Sequence, residues 1–154
     1  MHLAQYLHQT IDRELPNLRA LPDDRASLPR GAGKWSPKEE LGHLIDSAAN
    51  NHLRFVGAAA DSQYRGPGYE QDEWVRIHAY RDMPWADIVE FWYRYNRLLV
   101  RVVEAIPAAS LAHVCTVSTY APMSLAELIE DYVVHMQHHI DQLMLRPTIT
   151  KYPR

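Results

Sequence analysis

Residues 124–143 read SLAELIEDYVVHMQHHIDQL. Leu125, Leu128, Ile129, Tyr132, Met136, Ile140 and Leu143 recur at the three-and-four spacing of a helix with one buried face. Ser124 and Glu127 form a capping box at its start, and Pro147 bars its continuation. His139 stands near the centre of the apolar stripe, with His135 one turn earlier on its flank. An imidazole among core residues must find a partner, because an unsatisfied buried polar group is costly. A metal ion would serve both rings, and so would paired or capping histidines. Spacing alone leaves both readings open. The motif is not the HExxH of zinc proteases, since Met136 follows His135.

Three more segments carry the same periodicity. In KWSPKEELGHLID (residues 34–46), Ser36 caps a helix, Pro37 suits its first position and Glu39 completes a capping box. Leu41, Leu44, Ile45, Ala48, His52 and Phe55 fall on one face of it. His43 lies nearly opposite that stripe, beside Ser47, Asn50 and Arg54. This pattern reads as a solvated face or as the polar wall of a cleft, with Arg54 a solvated charge, the favoured reading, or an anion clamp at the cleft. A third helix places Ile88, Trp92, Tyr95, Leu99, Val102 and Ile106 on a core stripe, and Pro107 stops it. A first helix runs from about Leu3 to Leu18, with Pro16 expected to shorten or bend its end.

Between these helices, Pro22 to Gly33 reads as loop. Residues 60–84 form a long link with the turn-rich YRGPGY and a short helix around Glu70 to Tyr80. No β pattern competes strongly, although HVCTVST (residues 113–119) reads as briefly extended. The expectation is an all-α four-helix bundle, one domain over residues 1–154. Its long crossover connections, Pro22–Trp35 and Ala60–Pro84, do not force up-down-up-down order.

Composition narrows the function classes. A hydrophobic fraction of 47% and a charged fraction of 23% suit a soluble globular chain. The net charge of −3, without a basic stripe, argues against nucleic acid as partner. No apolar run approaches a membrane span, and the early charges do not make a secretory signal. A lone Cys115 cannot form an internal disulfide, which fits the cytoplasm; it reads as a small buried hydrophobe in a connecting segment. His52 reads as a satisfied core residue, and His2, His8, His78 and His113 as surface or loop residues. Trp35 reads as a staple before the second helix, and Trp92 and Tyr95 as core.

Taken together, KWSPKEELGHLIDSAANNHLRF, GYEQDEWVRIHAY, DIVEFWYRYNRLLVRVVEAIP and SLAELIEDYVVHMQHHIDQL resemble, in order, successive regions of the DinB/YfiT-like metalloenzyme superfamily. The combination of W-S-x-x-E-x-x-x-H with a late H-x-x-x-H carries the resemblance. It implies a DinB-like bundle, often a homodimer, holding a divalent metal ion, zinc or nickel, on His43, His135 and His139. Some relatives in that family transfer or isomerise with low-molecular-weight thiols.

The resulting expectation is a metal-dependent enzyme acting on a small molecule, either a thiol-dependent S-transferase or a hydrolase. Three neutral imidazoles leave a coordination position open. Asp131, one turn before His135, is placed to accept that ring's second N–H, with Asp46 and His138 as further supporting residues. No residue is singled out as the general base. The alternative is a non-catalytic dimeric binding or stress-response protein whose metal is structural or absent. Leu98 and the aromatics around Trp74 and Trp85 are candidates either for a dimer face or, equally, for closing the monomer's own core.

Overall fold

In the computed structural model, which describes residues 2–153, the chain forms in order α1 (Leu3–Ala20), the single turn α2 (Asp23–Ala26), α3 (Pro37–Ala60), β1 (Gln63–Gly66), α4 (Gln71–His78), α5 (Trp85–Ala105), β2 (Val114–Val117), β3 (Met123–Ser124) and α6 (Leu125–Leu143). The fold is all-α, and the four long helices α1, α3, α5 and α6 make a bundle. Both predicted capping boxes are present. Ser36 Oγ accepts from the Glu39 backbone N–H at 3.3 Å while Glu39 accepts from Ser36 N at 3.2 Å. Ser124 and Glu127 repeat the arrangement at α6, at 3.2 and 2.7 Å. Each box satisfies backbone donors that a helix start otherwise leaves open.

The order of packing is unusual. Both α1 and α3 pack against α5 and α6, so consecutive long helices α1 and α3 stand diagonally, as do α5 and α6. Arg19 at the end of α1 meets Glu90 near the start of α5 at 2.8 Å, so these two run antiparallel. Helices α3 and α5 run parallel. Lys38 and the Trp85 backbone N–H both donate to the Asp23 carboxylate at their starts, at 3.1 and 2.8 Å, and Ser110 donates to the Ala59 carbonyl beyond their ends. The start of α6 lies by the end of α3, where Leu125 N donates to the His113 carbonyl and the His113 ring meets the Ala58 carbonyl. The order is therefore up-down-down-up. A parallel pair of consecutive helices needs a connection as long as the helix, and residues 61–84 supply it.

That return segment contains β1, which pairs in parallel with β2; β2 pairs antiparallel with β3. Only the brief extension at residues 113–119 is legible from sequence. Strands of two and four residues are too short to show a period. The single turn α2 also falls where a loop is expected, and α1 continues past Pro16 to Ala20.

The core centres on Trp92, packed among Leu7, Ile11, Leu44, Phe55, Leu99, Ile129 and Met136, all fully buried. Tyr132 donates there to Asn96 at 2.6 Å, and Asn96 to the Trp92 carbonyl, while the Trp92 indole N–H is buried without a partner. Below the core, buried Glu14 and Asp141 share Arg146, each at 2.7 Å, which ties α1 and α6 to the chain after α6. Among the described residues no helix is long and apolar enough to cross a membrane.

For Trp74 and Trp85 the structure decides between the two readings left open. Trp85 is a core residue, its indole N–H donating to the Leu18 carbonyl at 2.7 Å, and Trp74 is half-buried in the wall of a cleft. Neither forms an outer face. Leu98 is exposed, with Leu53, Val56 and Phe91 also exposed on α3 and α5.

Candidate metal centre

Glu40 and His43 stand three residues apart in the first turns of α3 and so share a face. His135 and His139 share a face of antiparallel α6, with ring centroids 4.5 Å apart. The crossing of these helices brings His43 to 5.1 Å from the His135 ring and 4.7 Å from the His139 ring. One side-chain nitrogen from each of the three lies within 4.8 Å of the other two.

His43 is 1% exposed, so the solvated-face reading of its position fails. Nearly every residue from Pro37 to Ala48 is buried, because α3 is covered on one side by α5 and on others by α6 and the return segment. A periodicity argument assumes one buried face; this helix has several. Arg54 is likewise half-buried rather than free in solvent.

The donor set fits a divalent cation. Bonds of about 2.0–2.1 Å in a tetrahedron set neighbouring nitrogens about 3.3 Å apart, and His43 Nε2 lies 3.2 Å from His135 Nε2. Burial, reinforced by His139, pulls His43 down to about 3. Burial also holds His135 well below the usual histidine range, with His139 and His43 adding to it. Both rings are thus neutral near pH 7, the form whose lone pair binds metal. His139 Nδ1 meets the buried Glu40 carboxylate at 2.7 Å. That contact keeps the proton on Nδ1 and leaves Nε2 as the lone-pair donor.

Glu40 is the supporting carboxylate that the sequence reading missed. It stands three residues before His43, an E-x-x-H spacing, yet it serves the ring on the other helix. Asp131 lines the cleft with His135 and Tyr152. Asp46 turns away from the three rings, accepting from the Tyr80 hydroxyl at 2.6 Å and facing His78 Nδ1 at 3.0 Å. His138 packs beside His139 and Tyr152, with Nε2 2.8 Å from the Gln142 amide nitrogen. Two aromatics enclose the rings: Trp35 lies 4.9 Å from His43, and Tyr152 5.0 Å from His135. Trp35 thus packs on a candidate ligand rather than serving only as a staple. His52 is satisfied, as expected, by the Tyr95 hydroxyl at 3.1 Å. His113, read as a loop residue, is half-buried at the edge of β2.

His43 and His135 line a cleft of about 1390 Å³ between α3 and α6, with His139 packed behind them. His43, Ser47, Asn51 and Arg54 form one wall, and Leu128, Asp131 and His135 another. Residues 67–74 form a third, while Cys115 and Val117 of β2 lie at the floor. Cys115 is fully buried, as its reading as a small hydrophobe predicts.

With this architecture in place, comparison with known proteins is informative. The chain belongs to the DinB superfamily, whose sequence profile matches residues 6–143. A protein of Geobacillus thermodenitrificans (strain NG80-2), named "Putative metal-dependent hydrolase", is 25% identical over 138 residues, covering 86% of this chain and 78% of that one. The fold matches YfiT from Bacillus subtilis, described as "a probable metal-dependent hydrolase with an unusual four-helix bundle topology". That match has a TM-score of 0.80 and 17% identity, over 93% of this chain and 82% of YfiT. A mutant of a mycothiol-dependent maleylpyruvate isomerase matches with a TM-score of 0.69 and 7% identity, over 97% of this chain and 61% of the isomerase.

Proposed function

We propose that the protein is a divalent-metal-dependent enzyme acting on a small molecule held in the cleft, with His43, His135 and His139 as the metal ligands. The observation that carries this reading is the convergence of three imidazoles, two of them held neutral by burial, at one end of a cleft wide enough for a substrate. Three protein ligands leave an open position, as catalytic rather than structural zinc sites do. Zinc suits this set of nitrogens, with nickel the next candidate. A divalent ion bound there supplies Lewis acidity at neutral pH, activating a nucleophile or polarising an electrophile.

The chain's own residues do the rest. Glu40 holds the proton on His139 Nδ1 and orients that ring. Trp35 and Tyr152 pack against the rings and limit water. Ser47, Asn51 and the β2 floor bind the body of the ligand. Asp131, in the cleft wall with His135, is a carboxylate placed to move a proton at the reacting end. Hydrolysis is the favoured reaction, supported by the name of the 25%-identical relative. Thiol transfer is the second reading, supported by the shared fold of the mycothiol-dependent isomerase. A homodimer is the expected assembly, supported by the exposed Leu53, Val56, Phe91 and Leu98; a cytoplasmic setting suits the single buried thiol.

Metal content of untagged protein tests the proposal. About one equivalent of Zn²⁺ or Ni²⁺ is expected, with sharply weakened retention in His43→Ala, His135→Ala and His139→Ala. A wild-type protein that cannot be loaded with either ion would falsify it.

A further inference from the structure

Arg54 lies eleven residues beyond His43 on α3, about 16 Å along the helix axis. It lines the same cleft at the far end from the rings. Its guanidinium donates to the Asn51 side-chain oxygen at 3.4 Å and to the Pro67 carbonyl at 3.2 Å. Both acceptors are neutral. They fix the plane of the fork and leave its charge intact. Among the described residues no carboxylate comes within ion-pair distance of it, although the chain carries 19 acidic residues. Four acids line the cleft, Glu70, Glu73, Glu127 and Asp131, and none of them pairs with Arg54; Glu127 caps Ser124 at 2.7 Å, and Glu73 holds Arg76 at 2.8 Å. Withdrawal from water pulls the Arg54 guanidinium below its ordinary value, a pull that Tyr69, Tyr64 and Tyr120 oppose. A cation drawn partly out of water without a counter-charge is unfavourable unless something else supplies one. Between this cation and the rings, Ser47, Asn50 and Asn51 of α3 face Cys115, Val117, Leu128 and Tyr132 across the cleft.

We propose that Arg54 is the anion-recognising residue of the cleft, and that the substrate is an elongated small molecule with a carboxylate or phosphate at one end and its reacting centre at the three histidines. The planar fork matches either oxyanion bidentately. The middle of the cleft, polar along α3 and apolar along β2 and α6, takes a spacer with one apolar face. This assignment rests on the reading of the histidines as the reacting end, but the anion contact itself does not require the metal.

Three probes of equal chain length test it: hexanoate, hexyl phosphate and the neutral hexanamide. They are titrated by calorimetry into zinc-loaded and zinc-free full-length protein, wild type and the variants Arg54→Gln, Arg54→Met and Arg54→Lys. Wild type should bind one of the anions about tenfold or more tightly than the amide, as a charge-assisted contact implies. Whichever anion is preferred identifies the oxyanion. Arg54→Gln and Arg54→Met should lose that preference, and Arg54→Lys should retain part of it. Zinc uptake and melting temperature, measured alongside, should be unchanged. No preference for either anion in wild type, or a preference that survives in Arg54→Gln, overturns the proposal. If zinc uptake fails while the preference persists without metal, the metal assignment falls and the anion assignment stands.

Discussion

At the scale of single residues, the site separates what helical spacing reveals from what it hides. His139 is legible because it interrupts an apolar stripe, and His135 because it follows the i, i+4 rule on the same helix. His43 is legible only through the W-S-x-x-E-x-x-x-H pattern, since its own helix places it opposite the apolar face. Glu40 escapes because its partner, His139, is 99 residues away. Its role predicts that Glu40→Gln weakens zinc affinity about ten- to a hundredfold while leaving the fold intact. A competition titration against a chromogenic chelator measures this, and unchanged affinity would remove Glu40 from the site. Gly42, between Glu40 and His43, is required for a different reason: a Cβ there would overlap the Tyr80 ring. Gly42→Ala should destabilise by about 1–3 kcal/mol, read by denaturant unfolding, because Tyr80 is held in place by its bond to Asp46.

At the scale of elements, the capping boxes set where the two ligand-bearing helices begin. Ser36→Ala and Ser124→Ala should each cost about 1 kcal/mol, and loss of the α3 cap should also disturb Glu40 and His43, which lie within two turns of it. Both caps were readable as S-x-x-E. The knot of Glu14, Asp141 and Arg146 was not, since Glu14 and Arg146 are 132 residues apart. Burial of Glu14 works to raise its pKa, but Arg146, Gln137 and Asn17 outweigh it and hold the carboxyl below its ordinary 4.5. A carboxyl lowered by folding stabilises the fold fully above 4.5. That contribution fades as pH falls below 4.5 through the lowered folded value. Arg146→Ala leaves buried Asp141 without its cation and Glu14 with only the half-exposed Arg13 at 3.4 Å, and should cost about 3 kcal/mol at pH 7. Its stability should also fall less steeply than that of wild type as the solution is acidified below pH 4.5. Chemical denaturation from pH 3 to 7 distinguishes the two, and parallel curves would argue that Arg146 is not the partner that matters.

For the molecule as a whole, four helices, their approximate bounds and two of the three ligand positions follow from local periodicity. The order of packing does not, because α1 and α3 meet across a diagonal that no local signal encodes. Since His43 comes from α3 and the other two rings from α6, an ion bound to all three holds those helices together and binds little to the unfolded chain. Zinc in excess should therefore stabilise the fold by about 2.7 kcal/mol at a hundred times its dissociation constant. Scanning calorimetry with zinc and then with EDTA should show a melting temperature that rises and returns, whereas no shift would mean that the folded chain does not bind zinc in preference to the unfolded one. The parallel run of α3 and α5 has one more result. The segment that carries the chain back, residues 61–84, also walls the cleft through residues 67–74 while contributing little to the core. Evolution can therefore retune ligand preference in that stretch with the scaffold untouched, so exchanging residues 67–74 between relatives should move selectivity and leave thermal tolerance nearly as it was.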